Sequence, residues 1–435
     1  MSAPFSFYLV TDIHYYDGSF KRTGSAYEER SRTDQKCIAE TPAIVDAGFK
    51  QILDDKSVDT ILIPGDLVYR GEYQSHVGLR EKFYKLKEQG KKIYLITARH
   101  DYGGDPVEFD GDKLVEVKGM PREELRDFYK DFGFSQAISE HKNSMSYVAQ
   151  ISDGVRILAL NCDGDCKDFK GLWQDQLDWA VEEIKKAKAE GQYIFAMTHY
   201  PLLPFTSVMH LLPDAKLTDW QKTADILADA GLDLIFTGHM HAQAVTEYTT
   251  PNGNTITDVQ TGCFVGCPCA YRKVTLLENE IKIKSYTIED FDYDKQGKTA
   301  KEYFDWRFDR MIDIAMDNIL PKPAKKILDK FTLKKLGRLL FFKVDKSIEN
   351  RLAKDVGIEL VRNVFVGNEP YVKGTPIYEA MAKLLKRLRP ITYILGKKLG
   401  KKNPVLSDID TFVLSMIGDE KQRDYDAVLR RNSNG

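Results

Sequence analysis

Short apolar runs alternate with longer amphipathic stretches through the first two thirds of the chain, and the spacing predicts strands and helices in turn. Residues 5–10, 59–63, 92–96, 146–151, 155–161, 193–198 and 232–237 are near-continuous apolar runs of strand length. Between them, Ile44, Val45, Phe49, Ile52 and Leu53 make a helical stripe behind Thr41-Pro42, which has the chemistry of a helix start. Charged or amphipathic helices are expected over 72–90, 122–132, 174–190 and 219–230. The polar segment 18–34 and the Gly/Asp-rich segment after Tyr102 read as loops, the second with its helix as a lid or rim insertion reaching about Ser144.

The rhythm then changes. Residues 245–250, the turn Asn252-Gly253-Asn254 and residues 255–260 spell a hairpin, and 272–277 with 281–288 add alternating strands. From Lys295 onward no strand is expected, and helices dominate, for example Thr375-Pro376 followed by Ile377, Met381, Leu384, Leu385 and Leu388. The pattern is α/β with mixed sheets over 1–294 and a C-terminal α-helical domain over 295–435, divided in the charged run 292–301.

Composition adds four constraints. A chain of 435 residues that is 43% hydrophobic can build two or three cored domains. Six cysteines (37, 162, 166, 263, 267 and 269) are too sparse for a disulfide framework, and Cys263, Cys267 and Cys269 lack the spacing and the fourth ligand of a zinc site, so buried thiols are expected. The first residues leave no room for a secretory leader before the first candidate site, and no apolar run is long enough to span a bilayer, so the expected location is cytoplasmic. Charge is uneven: residues 301–435 carry 28 Lys and Arg against 18 Asp and Glu, leaving 35 against 47 for the first 300.

The chemistry sits at the ends of the apolar runs. The run 61–63 stops at Pro64-Gly65 and delivers Asp66, which could be a helix cap, or a carboxylate whose two oxygens serve two cations. Other strand ends carry Asp12 and His14, His100-Asp101, His199 before Pro201, and His239 and His241 after Gly238. Five of the eight histidines thus fall at these strand ends, which core filling does not predict. Carboxylates and imidazoles suit Mn, Fe or Zn and leave coordination positions open for water and substrate.

In order and interval these motifs resemble the calcineurin-like metallophosphoesterase family over about residues 5–290. The resemblance implies a four-layer sandwich of two mixed β-sheets flanked by helices, with a dinuclear centre of divalent or trivalent ions. It implies that Asp12, His14 and His241 hold one ion, that His199 and His239 hold the other, and that Asp66 bridges them. It further implies in-line attack of a metal-bound hydroxide on a phosphate ester, with His100 donating to the leaving oxygen and Asp101 orienting the His100 ring. One departure stands out: the family usually has Gly-Asn before His-Asp, with the Asn as a ligand, and here Ala98-Arg99 occupies those positions. A guanidinium has no acceptor. Either Arg99 clamps the substrate phosphate, or the second ion binds only with substrate, or Arg99 faces solvent and water replaces the missing amide.

The remaining features have plainer readings. His76, His141 and His210 are expected at the surface or in caps, and Tyr15, Tyr16, Tyr69, Tyr102 and Tyr200 flank the motifs either as cleft lining or as packing. The basic tail reads as a solvated helix face rather than a nucleic-acid or membrane-surface contact, and the helical domain as a cap over the cleft or a homodimer interface. The expected activity is hydrolysis of a phosphate-ester substrate, as a phosphomonoesterase or a phosphodiesterase. The alternative is a non-catalytic phosphate-binding module that kept the fold. The segments 18–34, 103–144 and 163–171 would set specificity.

Overall fold

Strands β1 (Phe5–Leu9), β2 (Thr60–Pro64) and β3 (Lys92–Ile96) run parallel, β2 beside β1 and β3 beside β2, in the computed structural model. Their apolar runs are unbroken because both faces of the sheet are covered. The structure describes residues 4–162, 170–210, 214–320, 322–401, 407–419 and 423–431. Cys166 and most of the 163–171 segment lie outside the described residues.

Between β3 and the second sheet lie a small hairpin, β4 (Val107–Asp110) and β5 (Lys113–Glu116), then β6 (Ala137–His141), β7 (Ser146–Ser152) and β8 (Val155–Ala159). Next come β9 (Tyr193–Met197), β10 (Leu234–Thr237), β11 (Ala244–Thr249), β12 (Thr255–Gln260), β13 (Ala270–Leu276), β14 (Glu280–Thr287) and β15 (Ala427–Arg430). One sheet has the order β15-β14-β13-β1-β2-β3 and the other β11-β12-β10-β9-β8-β7-β6. In the second, β8, β9, β10 and β12 are parallel and the outer strands antiparallel. The sheets meet face to face through aromatic rings: Phe7 of β1 stacks on Phe195 of β9 at 5.3 Å and meets Phe236 of β10 edge-on at 5.4 Å. Helices Thr41–Asp54 and Tyr73–Glu88 cover the first sheet with Ile44, Phe49, Leu79 and Phe83. Helices Gln174–Ala189 and Trp220–Ala230 cover the second with Leu177, Ile184 and Leu227. The result is a four-layer α/β sandwich followed by a largely helical C-terminal region.

Several local expectations need correction. Residues 24–33 of the presumed loop form a helix with no fully buried residue, so no apolar stripe announces it. The β4–β5 hairpin turns at Gly111, in the left-handed region, and β5 is exposed throughout, which hides its alternation. The helix expected over 122–132 spans Arg122–Phe128. Thr41 is not the cap of its helix; its hydroxyl instead accepts the Tyr16 N–H at 3.1 Å. Strands also do not cease at Lys295: β15 pairs antiparallel with β14, Ala427 opposite Ile283, burying Ala427 and Leu429 and exposing Val428. The described cysteines (37, 162, 263, 267 and 269) are buried and form no disulfide with one another.

The tail is attached at several places, one of them midway, where the Gln243 N–H reaches the Phe365 carbonyl at 3.0 Å and Phe365 packs against Phe308 and the main core. Helix Ala300–Ile319 buries Tyr303, Phe304 and Phe308 in the main core. At the far end Arg272, fully buried on β13, donates to the carbonyls of Asp424 and Gln260 at 2.8 Å. Between these attachments, Leu333, Leu336, Val356, Leu360 and Ile377 form a separate core.

Glu72, which precedes helix Tyr73–Glu88, carries a pH prediction. It is fully buried, Oε2 accepts the Arg70 N–H at 3.1 Å, Oε1 has no partner, and burial pushes its carboxyl up to about 7. The folded state therefore holds this proton more tightly than the unfolded chain, and the associated stability, present below about pH 4.5, is lost as pH rises through about 7. Glu72→Gln keeps the acceptor and removes the charge. It is expected to stabilise the fold by roughly 3 kcal/mol at pH 8 and by little at pH 4.5. Urea titrations at the two pH values check this; equal gains at both would refute it.

Candidate metal centre

The parallel strands of both sheets end at one edge, and each candidate ligand lies within a few residues of such an end. The loops stay in register there: the His14 N–H reaches the Asp66 carbonyl at 3.0 Å, and the Gly238 N–H reaches the His199 carbonyl at 3.0 Å. Asp12, His14, Asp66, His239 and His241 all have positive φ, from 40° to 73°. Left-handed backbone is uncommon for such residues, and here it turns neighbouring side chains inward from a chain that would otherwise alternate. Asp12 and His14, two apart, converge for this reason. Gly238 serves by close approach instead: a Cβ there would sit 2.2 Å from Thr11 Oγ1 and 2.4 Å from Asp12 Oδ2. Its N-terminal neighbour strand thereby lies against Asp12, whose Oδ2 accepts from the Thr11 hydroxyl at 2.8 Å and from the His239 N–H at 3.0 Å.

The six residues fall into two groups. Asp12, His14 and His241 bring one donor atom each within 4.8 Å of one another, as do Asp66, His199 and His239. Nε2 of His14 lies 3.0 Å from Nε2 of His241 and 3.7 Å from Asp12 Oδ1, and His241 Nε2 lies 3.3 Å from the same oxygen. Asp66 Oδ2 is 3.6 Å from His14 Nε2 and 3.1 Å from His199 Nε2, so one oxygen lies beside a member of each group. Ligand atoms about 2.1 Å from a common ion stand roughly 3.0 to 3.4 Å apart, the edge of an octahedron or tetrahedron. The separations of 3.0, 3.1 and 3.3 Å fall in this range, and those from His14 Nε2 to Asp12 and Asp66, 3.7 and 3.6 Å, are slightly longer.

Ring orientation points the same way. A carbonyl oxygen cannot donate, so His199 Nδ1 must donate to the Pro64 carbonyl at 2.8 Å, and His239 Nε2 must donate to the Asp214 carbonyl. In the neutral ring, the form a bound cation would select, each bond leaves the lone pair on the other nitrogen, as metal-holding imidazoles require. His241 Nδ1 lies 3.1 Å from Gln35 Oε1, which leaves Nε2 for the cluster. Carboxylates and neutral imidazoles packed this closely fit a pair of transition-metal cations.

The electrostatics follow from burial and proximity. Burial would raise the Asp66 carboxyl, but the charges of His199 and His100 hold it well below the usual range. Burial opposes protonation of His199, yet Asp66 pushes it up to about 10, whereas burial and His199 push His239 down to about 3. Burial and the nearby Lys36 hold His14 well below the ordinary histidine range.

His100 stands beside the ligands, within 4.8 Å of His14 and Asp66 donor atoms. The expected role of Asp101 as its ring's partner is not what the structure has. Asp101 accepts the N–H groups of Ala98 (2.7 Å), Leu67 (2.7 Å) and Val68 (3.1 Å), because the tight turn Arg99–Asp101 points its carboxylate back beneath the β2 loop. The His100 ring is oriented by the Tyr69 carbonyl, 2.6 Å from Nδ1, and burial lowers its pKa. Asp101 thus fixes the loop that carries Asp66. Arg99 is exposed and lines a cleft of about 400 Å³ with Asp66, Tyr69, His100, His199 and His239.

His76, expected at the surface, is fully buried: its ring bonds the Tyr129 hydroxyl and the Asp101 carbonyl, both at 2.8 Å. His141 is half-buried, bonded to Ser144. The residues that sequence reasoning missed are Thr11, Gln35 and the carbonyls of Pro64, Tyr69 and Asp214. Backbone carbonyls leave no trace in residue identity, and only Thr11, next to Asp12, was close enough to suggest itself.

Fold and site together define a four-layer α/β sandwich with clusters of candidate metal ligands at its strand ends. The model of the calcineurin-like phosphoesterase family matches residues 5–243, and the chain belongs to that family, whose members are metal-dependent phosphoester hydrolases. Among solved structures, a dimetal phosphatase from Danio rerio aligns at 12% identity and a TM-score of 0.48, covering 66% of this chain and 97% of that one. Purple acid phosphatase from yellow lupin (Lupinus luteus) seeds aligns at 14% and 0.42, covering 69% and 53%. The NAD nucleotidase of Haemophilus influenzae aligns at 13% and 0.36, covering 84% and 61%. No curated protein matches the chain.

Proposed function

We propose that the chain hydrolyses phosphate esters at a two-cation centre, with Asp12, His14 and His241 holding one ion, His199 and His239 the other, and Asp66 shared. The observation that carries this reading is the single Asp66 oxygen lying 3.6 Å from His14 Nε2 and 3.1 Å from His199 Nε2. Two bound Mn, Fe or Zn ions would supply an acidified water and neutralise charge on the phosphoryl group. The chain's own residues supply the rest. Arg99, exposed at the mouth of the cleft, is placed to donate to phosphate oxygens that enter it. With Nδ1–H committed to the Tyr69 carbonyl, His100 can give a proton only from Nε2, so it acts on the leaving oxygen as the imidazolium. Asp101 is a positioning residue for the Asp66 loop. Phosphomonoesters and phosphodiesters both fall within this reading. Buried thiols that form no disulfide with one another support a reducing, cytoplasmic setting, and among the described residues no helix is long and apolar enough to cross a membrane. Residues 1–294 form the catalytic unit in this proposal and 295–435 a helical appendage.

Assay of aryl phosphate mono- and diesters with added Mn tests it. His100→Ala is expected to lower kcat about 100-fold with metal content unchanged. Arg99→Ala is expected to raise KM about tenfold and leave kcat within a few fold. Phosphate binding without turnover in the metal-loaded parent would replace the enzyme with a binding module.

A further inference from the structure

Helix Pro376–Gly400 changes character along its length. Ile377, Ala380 and Leu385 in its first half are buried against Leu333, Leu336 and Val356. Beyond Arg389 the helix leaves that core, and Ile391, Tyr393, Ile394 and Leu395 stand 45% to 66% exposed. Phe341, in the turn after helix Leu333–Leu339, is 83% exposed and holds a φ of 58°, an unfavourable conformation for a bulky residue. Arg387 donates to the Phe341 carbonyl at 2.8 Å and lies one helical turn before Ile391, on the same face. Phe341, Ile391, Ile394 and Leu395 therefore continue one another along one side of the tip.

The surrounding charge is predominantly positive, although Asp408 lies close enough to Arg389 to feel its charge. Between Glu379 and Asp408 there is no acidic residue and there are eight Lys and Arg: Lys383, Lys386, Arg387, Arg389, Lys397, Lys398, Lys401 and Lys402. Asp345, the acid near the Phe341 turn, feels both Lys343 and Lys383. A face that mixes exposed aliphatic and aromatic side chains with lysine and arginine is poorly solvated as it stands, and it matches the boundary between acyl chains and anionic headgroups. The helix is not apolar enough to cross a bilayer.

We infer that this tip docks on the surface of an anionic lipid bilayer, with Phe341, Ile391, Ile394 and Leu395 entering the headgroup boundary and the flanking lysines and arginines contacting lipid phosphates. A second copy of the chain is the weaker occupant, since a symmetric contact would set each basic cluster against its own replica. A nucleic acid would satisfy the charges but give the isoleucines and leucine no apolar contact. The inference is independent of the hydrolytic reading.

Co-sedimentation of the full chain tests it, using vesicles of phosphatidylcholine alone or with about 30% phosphatidylserine. Binding is expected to the anionic vesicles, at least about tenfold stronger than to neutral ones, and to weaken as salt is raised. Ile391→Ser with Ile394→Ser, and separately Lys397→Gln with Lys398→Gln, are each expected to weaken binding about 30-fold. Phe341→Ser should weaken it about tenfold. All these side chains are exposed, so thermal unfolding of each variant should match the parent, which separates loss of binding from loss of fold. Three outcomes would overturn the inference: no preference for anionic vesicles, serine variants that bind like the parent, or a solution dimer that Ile394→Ser dissolves. Tight duplex DNA binding that survives the serine substitutions would also overturn it and assign the face to nucleic acid.

Discussion

Asp66→Asn is expected to reduce phosphoester hydrolysis at least about 10,000-fold, more than any other single conservative change in the chain. The substitution keeps size and one oxygen but removes a full negative charge from the carboxylate that lies beside both His14 and His199. The carboxylate also does structural work: Oδ1 accepts the His100 N–H at 3.2 Å, and the residue's own carbonyl accepts the His14 N–H. An amide turned to keep the His100 bond aims its nitrogen at His14 and His199, where lone pairs and cations compete for the same space. Metal analysis after dialysis should show fewer than two ions per chain against the two expected in the parent, with a nearly unchanged unfolding midpoint. A variant that retained both ions and a rate within tenfold of the parent would remove Asp66 from the centre of the mechanism.

Gly238→Ala is expected to be nearly as damaging by a different route. A methyl group at this position would overlap Thr11 Oγ1 at 2.2 Å and Asp12 Oδ2 at 2.4 Å, and neither belongs to a flexible chain end that could swing away. Thr11 and Asp12 are fully buried and tied to each other, and Asp12 is tied to the His239 N–H. Relief requires the two sheets to part where Asp12 meets the β10 loop, at a cost of about 2 to 3 kcal/mol in folding stability. The same displacement separates Asp12 from His241, so activity should fall about 1000-fold and metal affinity at least tenfold. Urea titration with parallel metal titration checks both effects. Loss of stability with metal affinity intact would mean that Gly238 matters for packing alone.

The parts of this architecture that could be read from the sequence are those in which residue type and position say the same thing. The runs at 61–63 and 193–198 are apolar throughout because both faces of their sheets are covered, and their abrupt ends at Asp66 and His199 mark the functional edge. Asp101 misled because adjacency in sequence says nothing about direction: its carboxylate turns away from the neighbouring imidazole to collect three backbone N–H groups. Helix Gly24–Thr33 was invisible because it buries no residue fully, although it brings Arg30 to the cleft. Strand β15 was invisible because its partner lies far back in the chain, and four residues of alternation between charged neighbours carry little signal. The exposed tip of helix Pro376–Gly400 lies beyond the stripe of Ile377, Met381, Leu384, Leu385 and Leu388, and periodicity records which side chains share a face and not whether anything covers it.

Strand β15 also constrains how the molecule can move. The C-terminal region leaves the sandwich from helix Ala300–Ile319, touches it again at Phe365 and returns to it as an edge strand, so the helical lobe is moored at several points rather than trailing from a single leash. Such a lobe cannot swing freely. Were its tip to settle on a lipid leaflet, the mouth of the cleft would ride at a set height and tilt above that surface, and reach alone would decide which headgroups or soluble esters could be turned over.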